Sequence, residues 1–176
     1  MQLPIDRSRQ PTNCGMSTTN IDEWKTISLG THKSTEGMFQ DLRRTGCKVT
    51  DAGYELLTKV PLASPIRRVP LARVYPEQFG VRHAMTLNSL FHIAQWFGLE
   101  RVPAEVGPEL RLQYRGQPKG ECLLIAMTPV GCSNYPHIFC VTSRGQNLWL
   151  DAECGYLGHF WEAHTAWVFL NANSNK

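Results

Sequence analysis

The sequence predicts a single α+β domain in which a C-terminal antiparallel β-meander packs against two or three helices. Short apolar runs rich in β-branched and aromatic residues follow one another between residues 120 and 151, separated by Gly, Ser and Asn breaks. No helix-length segment separates these runs, which favours antiparallel pairing over a βαβ repeat. A chain of 176 residues is long enough for one well-cored domain and short for two.

The domain is predicted to span residues 21–170, between two disordered tails. Residues 1–20 and 171–176 are polar and lack the apolar periodicity of a packed element. Met16 stands directly before the first structured run. The natural start is therefore either Met1 or Met16, and the sequence leaves both open.

The first part of the domain reads as one strand and two helices. Residues 23–29 alternate between apolar and polar side chains, as a half-buried strand does. Ser34 is placed to cap a helix that ends at Gly46, since serine accepts from free N–H groups and glycine tolerates a left-handed C′ position. A shorter helix is predicted from Asp51 through Leu57.

The middle of the domain contains the clearest helix of the chain. Its apolar residues between Leu87 and Phe97 recur at spacings of three and four, with Thr86 as N-cap and Gly98 at the end. Before it, Pro70 predicts that residues 68–74 form an edge strand, because proline cannot donate to a central ladder.

The last elements combine proline-rich chain with strands. Residues 103–114 are predicted to form a short helix or turn followed by an extended piece. The meander follows, and residues 167–170 supply a final strand. The meander strand Leu148–Leu150 is apolar on both faces, and few helices are available to cover it. Self-association as a homodimer is therefore expected.

Charge and hydropathy restrict the possible functions. The net charge of +3 is far from the strong positive footprint of a dedicated nucleic-acid binder. The pairs Arg43–Arg44 and Arg67–Arg68 keep weak nucleic-acid binding as a third hypothesis. No apolar run is long enough to span a membrane, and the N-terminus lacks the apolar core of a signal peptide. We therefore expect a cytoplasmic protein with no membrane partner.

The six cysteines favour free thiols over disulfides or a metal site. Their spacing is irregular and contains no CxxC pair. Four residues near the C-terminus are weak candidates for zinc, a metal that needs converging N and S ligands. These candidates are Cys132, Cys154, His159 and His164. Their intervals suit neither a helix face nor a zinc knuckle, so no metal or other cofactor is expected.

A nucleophilic site is a second possibility for the meander. Cys140 or Cys122 could act as the nucleophile, with His137 as base and Asp151 orienting it across the hairpin. The positions of the two cysteines oppose this assignment. Cysteine nucleophiles usually lie at a helix N-terminus, and both of these cysteines lie in strands between apolar neighbours.

Aromatic side chains crowd the last quarter of the chain and predict a binding surface. Tyr and Trp are enriched where a surface is partly apolar and partly wet. A charged, proline-flanked segment with Glu105 and Arg111 lies nearby in sequence. The binding candidates are Tyr135, Trp149, Tyr156, Trp161, Glu105 and Arg111. An ordinary core role for most of the aromatic residues is the alternative.

Several segments resemble one group of proteins. Residues 21–27, 103–114, 148–151 and 167–169 are similar to those of short uncharacterised bacterial proteins, hypothetical proteins of which some are carried on mobile or integron-cassette-like elements. The resemblance covers residues 21–170, and the run 103–114 is its most specific part. It implies a compact cytoplasmic accessory protein and carries over no catalytic residue.

The sequence therefore predicts a small accessory protein, first of all a non-enzymatic binding or protein-interaction module. Its partner would be a small molecule or another protein. A small hydrolase with a Cys/His site is the first alternative, and a weak nucleic-acid-binding protein is the second.

Overall fold

The computed structural model describes residues 21–132 and 135–175, so the predicted N-terminal tail lies outside it. It contains four α-helices and a large mixed sheet, which confirms the predicted α+β class. The helices are α1 (Thr35–Arg44), α2 (Asp51–Leu57), α3 (Leu87–Trp96) and α4 (Val106–Gln113). Single 3-10 turns cover Pro76–Phe79 and Ala172–Asn175.

Eleven strands are found in the described part of the chain. They are β1 (Lys25–Leu29), β2 (Lys48–Val49), β3 (Arg67–Val74), β4 (Met85–Thr86), β5 (Leu99–Glu100), β6 (Cys122–Ile125), β7 (Val130–Cys132), β8 (Tyr135–Arg144), β9 (Asn147–Cys154), β10 (Phe160–Trp161) and β11 (Ala166–Asn171).

The main sheet has the strand order β1-β3-β11-β6-β8-β9-β2, with β5 paired to β11 and β7 paired to β8. Strands β4 and β10 form a separate two-stranded sheet. Two pairings are parallel, β11 with β6 and β2 with β9. The class is thus confirmed, whereas the predicted antiparallel meander is not confirmed in detail: β6, β8 and β9 pair antiparallel, but the final strand β11 pairs in parallel with β6. Apolar alternation identifies strands but not the order in which distant strands pair.

The β8–β9 hairpin fixes the register of the second half of the sheet. Its loop consists of Gly145 and Gln146, and Gly145 takes a φ of 63° that glycine adopts without strain. The resulting register places Cys140 opposite Asp151 and Ile138 opposite Glu153. Residues directly opposite one another on paired strands share a face of the sheet.

Helices lie against both faces of the sheet. On one face, α4 approaches β8 so closely that a Cβ on Gly107 would lie 2.5 Å from the Phe139 ring. On the other face, the Phe91 ring of α3 meets Phe169 of β11 edge-on at 6.4 Å. Because Phe139 precedes Cys140, its side chain and that of Cys140 point to opposite faces. Cys140 therefore lies on the face that carries α3.

The predicted N-caps Ser34 and Thr86 are confirmed, and Thr50, which was not predicted as a cap, has the same role in α2. Ser34, Thr50 and Thr86 each accept from a backbone N–H in the first turn of α1, α2 and α3. Glycine follows α1 and α3 in the left-handed region, at Gly46 and Gly98. The predicted helices at 34–46, 51–57 and 87–97 are thereby confirmed to within a residue or two.

Strand β3 is a central strand, so the predicted edge position of residues 68–74 is wrong. It pairs with β1 on one side and β11 on the other. The pairing with β11 covers Leu71–Val74 and thus begins one residue after Pro70. The missing N–H of Pro70 therefore removes no ladder bond on that side.

The extended piece predicted within residues 103–114 is also wrong, because the segment forms α4. Pro108 is the third helical residue, where the absent N–H has no intrahelical partner to lose. The helix is buried over almost its whole length, including the side chains of Glu105, Glu109 and Arg111.

The C-terminal end of the domain extends beyond residue 170. Asn171, assigned above to the disordered tail, is 1% exposed and donates from Nδ2 to the carbonyl oxygen of Ile21 at 3.0 Å. No helix in the described residues is long and apolar enough to cross a membrane.

Self-association remains a prediction. On the α3 face of the sheet, Trp149 of β9 is half-buried, so part of its indole is available to a second copy of the chain. Light scattering at micromolar concentration should give the mass of a dimer. A monomer mass over the whole concentration range would contradict the expectation.

The face assignment of α3 gives a stability prediction. Phe91 is 7% exposed against Phe169, whereas Gln95 faces solvent on the same helix. Phe91→Ala should lower the free energy of unfolding by about 3–5 kcal/mol, the usual range for a core aromatic. Gln95→Ala is the matched control and should leave it almost unchanged. Equal losses in chemical denaturation would show that the helical face is misassigned.

Candidate functional site

A cavity of about 420 Å³ opens on the α3 face of the sheet, beyond the area that α3 covers. This volume lies within the range of about 300–1,000 Å³ that is typical of ligand pockets. The residues that line it include one cysteine, two glutamates, one histidine and two aromatic residues. Its lining residues are Tyr75, Glu121, Cys122, Leu124, Glu153, Trp161, His164, Thr165 and Ala166.

The strand register brings the polar groups of the cavity together. Leu124 pairs with Cys140, and Ile138 pairs with Glu153, so β6, β8 and β9 present alternate residues to this face. Cys122 and Glu153 therefore belong to one surface although 31 positions separate them in the sequence.

Two thiols are in contact on this face of the sheet. The Sγ atoms of Cys122 and Cys140 are 2.9 Å apart across β6 and β8. Cys122 is exposed, whereas Cys140 is fully buried. The hydrogen bond from Cys140 lowers the pKa of Cys122, and the nearby Arg144 guanidinium acts in the same direction. The same contact, together with burial, raises the pKa of Cys140. The negative charge therefore forms on the exposed sulfur.

Glu153 is the unpaired charge of the cavity. Its carboxylate accepts no hydrogen bond and forms no ion pair among the described residues, although the side chain is half-buried. Burial is the main cause that raises the pKa of Glu153, and the like charge of Asp151 adds to the increase. Arg144, His137 and His159 act against it. A carboxylate in this position is costly to ionise unless a cation approaches it.

Aromatic residues form part of the cavity lining. Trp161 meets Trp167 edge-on at 5.4 Å, and the His159 ring lies 4.8 Å from the Trp161 ring, again edge-on. These two contacts restrict the orientation of the Trp161 indole. Tyr75, directly after β3, lines the cavity as well. Two aromatic residues and the Glu153 carboxylate thus belong to one concave surface.

A larger cavity of about 590 Å³ lies at the end of α3, between residues 95 and 103. Its only charged lining side chains in the described chain are Glu100 and Arg101, and both are exposed. It contains neither a thiol nor an aromatic ring. We therefore place the candidate site at the smaller cavity, where polar groups converge.

The predicted nucleophilic triad is not brought together. Cys140 and Asp151 are opposite one another, but His137 pairs with Cys154 and lies on the other face. The Asp151 carboxylate already accepts from Thr50 Oγ1 at 2.7 Å, from Arg144 at 2.5 Å and from the backbone N–H of Ala152 at 2.9 Å.

The weak metal candidates are dispersed. Cys154 shares the face of His137, His159 packs on Trp161, and His164 lines the cavity. The side chain of Cys132 lies outside the described part of the chain. Among the described residues, no group of three or more His, Cys, Asp or Glu side chains could hold a metal ion.

The predicted binding residues fall in three places. Trp161 lines the cavity, and Trp149 lies on the same face of β9 with the Arg144 guanidinium 5.9 Å from its ring. Tyr135 and Tyr156 are exposed elsewhere, at 71% and 63%. The remaining two candidates, Glu105 and Arg111, are buried on or next to α4 and line neither of the two cavities described above.

Sequence reasoning weighed Cys122 only as a substitute for Cys140 and missed Glu153, Glu121 and Tyr75. The hairpin carried a usable signal. A two-residue loop at Gly145 and Gln146 sets Ile138 opposite Glu153, and alternation along β8 then places both on the face of Cys140. The contribution of Tyr75 depends on β3 being central, which the sequence did not reveal.

The two arginine pairs of the sequence analysis differ in their contacts. Arg44 forms an ion pair with Asp41 at 3.1 Å, and the Arg43 guanidinium lies 5.8 Å from the Phe39 ring. Arg67 and Arg68 are exposed at the start of β3. Nucleic-acid binding stays a prediction.

No protein-family model, curated protein or solved structure matches this chain. The resemblance to uncharacterised bacterial proteins is therefore untested, and the cavity is the feature from which a function can be proposed.

The thiol pair predicts the reactivity of Cys122. At neutral pH, iodoacetamide should modify Cys122 faster than free glutathione, because a lowered pKa gives more thiolate. Cys140→Ala removes the hydrogen-bond donor, so the pKa of Cys122 should rise and the alkylation should slow. Peptide mapping of the modified protein provides the measurement.

Cys140→Ser is the matched control, since its hydroxyl can still donate to the Cys122 sulfur and should preserve part of the reactivity. Unchanged alkylation of Cys122 in Cys140→Ala would show that another group activates the thiol.

Proposed function

We propose that this protein is a binding protein whose cavity takes a small organic cation with an aromatic or aliphatic ring. The single observation that carries the proposal is Glu153, a half-buried carboxylate at the cavity with no hydrogen-bond or ion-pair partner among the described residues. An ammonium group would supply the missing donor and the missing charge.

The charge of the lining supports a cation over an anion. Glu153 is the lining carboxylate on this face, and neither lysine nor arginine is among the described lining residues. The other acidic lining residue, Glu121, directs its carboxylate to Arg73 on the opposite face of the sheet. Glu121 is held by Arg73 through a 2.6 Å ion pair, so its charge is largely balanced. Glu153 thus supplies the net negative charge, to which a Cys122 thiolate would add.

The aromatic rings support a ring-bearing ligand. Trp161 and Tyr75 can pack against an apolar ring, and both can also interact with a cation through their faces. A cavity of about 420 Å³ accommodates a molecule of roughly drug-fragment size. The ligand class that fits charge and shape together is an arylalkylamine.

A thiol hydrolase is the second candidate, because Cys122 and His164 line the same cavity. The hydrolase hypothesis would then use these two residues instead of Cys140 and His137. The thiol contact of Cys122 is with Cys140, however, and no histidine among the described residues is hydrogen-bonded to it. This favours binding as the first proposal.

Benzylammonium and benzyl alcohol are a suitable pair of probes, since they share a ring and a size and differ in charge. Benzylammonium should bind with a Kd of about 1 mM, which corresponds to a binding free energy of about −4 kcal/mol. Benzyl alcohol should bind about tenfold more weakly or not at all, because a hydrogen bond to a charged group contributes about 1.5 kcal/mol or more. Ligand-observed NMR titration measures both.

Glu153→Gln should remove the preference for the cation, whereas Glu36→Gln on the exposed surface of α1 should retain it. Binding of benzylammonium should also weaken as the pH falls through the raised pKa of Glu153, since the protonated carboxyl carries no charge. Equal affinity for the two probes, or an unchanged preference in Glu153→Gln, would contradict the proposal.

A further inference from the structure

We propose that Cys122 and Cys140 form a thiol–disulfide exchange site that reacts with small-molecule disulfides such as glutathione disulfide. The inference rests on the geometry of the two thiols and is independent of the ligand proposed for the cavity. It assigns to the protein a redox chemistry that a binding function does not require.

The two sulfurs are placed for bond formation. They lie 2.9 Å apart on neighbouring strands, so closure to a disulfide bond length of about 2.05 Å needs an approach of about 0.9 Å. Cys122 pairs with Thr142, and Cys140 pairs with Leu124, so the cysteines are diagonal neighbours on one face. Rotation of the exposed Cys122 side chain can supply much of this approach without moving the buried Cys140.

The other described cysteines are placed differently. Cys47 is buried against the Arg115 guanidinium, with its sulfur 2.8 Å from Nη1. Cys154 lies on the opposite face of β9 from Glu153. Among the described side chains, only Cys122 and Cys140 have their sulfurs in contact with each other.

The difference in solvent exposure between Cys122 and Cys140 determines which thiol reacts first. Cys122 faces the cavity, where a disulfide can reach it, and it carries the thiolate character of the pair. Cys140 is fully buried and cannot meet an external disulfide. Cys122 is therefore the attacking thiol and Cys140 the resolving thiol, an arrangement in which an accessible reactive sulfur has a neighbour that completes the exchange.

Two exchange steps account for all atoms and electrons. The Cys122 thiolate attacks one sulfur of glutathione disulfide, forms a mixed disulfide and releases one glutathione thiolate. The Cys140 sulfur then attacks the Cys122 sulfur and displaces the second glutathione thiolate, which takes up the proton that Cys140 loses. Both released thiolates take up protons. The protein dithiol is oxidised by two electrons, and one glutathione disulfide is reduced to two glutathione molecules.

The test incubates the full chain with glutathione disulfide and maps cysteine-containing peptides by mass spectrometry without reduction. The expected product lacks two hydrogens relative to the reduced protein and yields a peptide pair linked through Cys122 and Cys140. Excess reduced glutathione should restore the dithiol. This readout uses the unmodified protein, so it does not depend on how any variant folds.

Variants separate the two roles. Cys140→Ser should stop at a stable mixed disulfide on Cys122, and Cys122→Ser should leave Cys140 unmodified. Cys154→Ser is the matched control and should form the same internal link as the original protein. A product that stays glutathionylated at Cys122 without forming the link, or a link between other cysteines, would overturn the proposal.

Discussion

The burial of charged side chains on α4 is the constraint on which the architecture depends. Glu105 accepts from the backbone N–H groups of Gly30 and Ala63, each at 2.7 Å. Glu109 accepts from Thr31 and lies 3.0 Å from His32. A buried carboxylate is destabilising without such donors, so the loops that precede α1 and β3 are fixed to the helix. One helix thereby joins segments more than 30 residues apart.

This constraint explains why the two faces of the sheet differ. Helix α4 packs against β8 on one face with Gly107 on the Phe139 ring, and α1 packs against both α4 and α2. Within residues 21–132 and 135–175, α3 is the one α-helix that we find on the other face, where it contacts Phe169 of β11. Side chains of β6 and β9 on that face are consequently left partly exposed. The stable face holds the domain together, and the uncovered face provides the cavity with Cys122 and Glu153.

The sequence predicted those features that local chemistry determines. Helices α1 and α3 are predictable because a serine or threonine cap and an amphipathic spacing are signals contained within each segment, and α2 is predictable from its local pattern without its Thr50 cap. Helix α4 was only partly recognised, because Gly107 and Pro108 lower the helix propensity of its first turn. Its stability comes from tertiary contacts, which a local pattern does not contain.

The site was less predictable than the fold for the same reason. Cys122, Glu153 and Tyr75 come from three separate strands or strand ends, and their meeting depends on the pairing of β6 with β8 and of β3 with β11. The sequence suggested a cluster of aromatic residues and free thiols near the C-terminus. It could not show which of them share a face, since a one-residue change in register moves every side chain of a strand to the opposite face of the sheet.

The central claim is that the working site of this protein is the cavity between β6, β9 and β10. The most direct test is a ¹H–¹⁵N NMR titration of the full chain with benzylammonium. If the ligand binds in this cavity, we expect the largest chemical-shift changes at Cys122, Glu153 and the Trp161 indole. Changes confined to residues 95–103 around the larger cavity, or scattered over the surface, would contradict it.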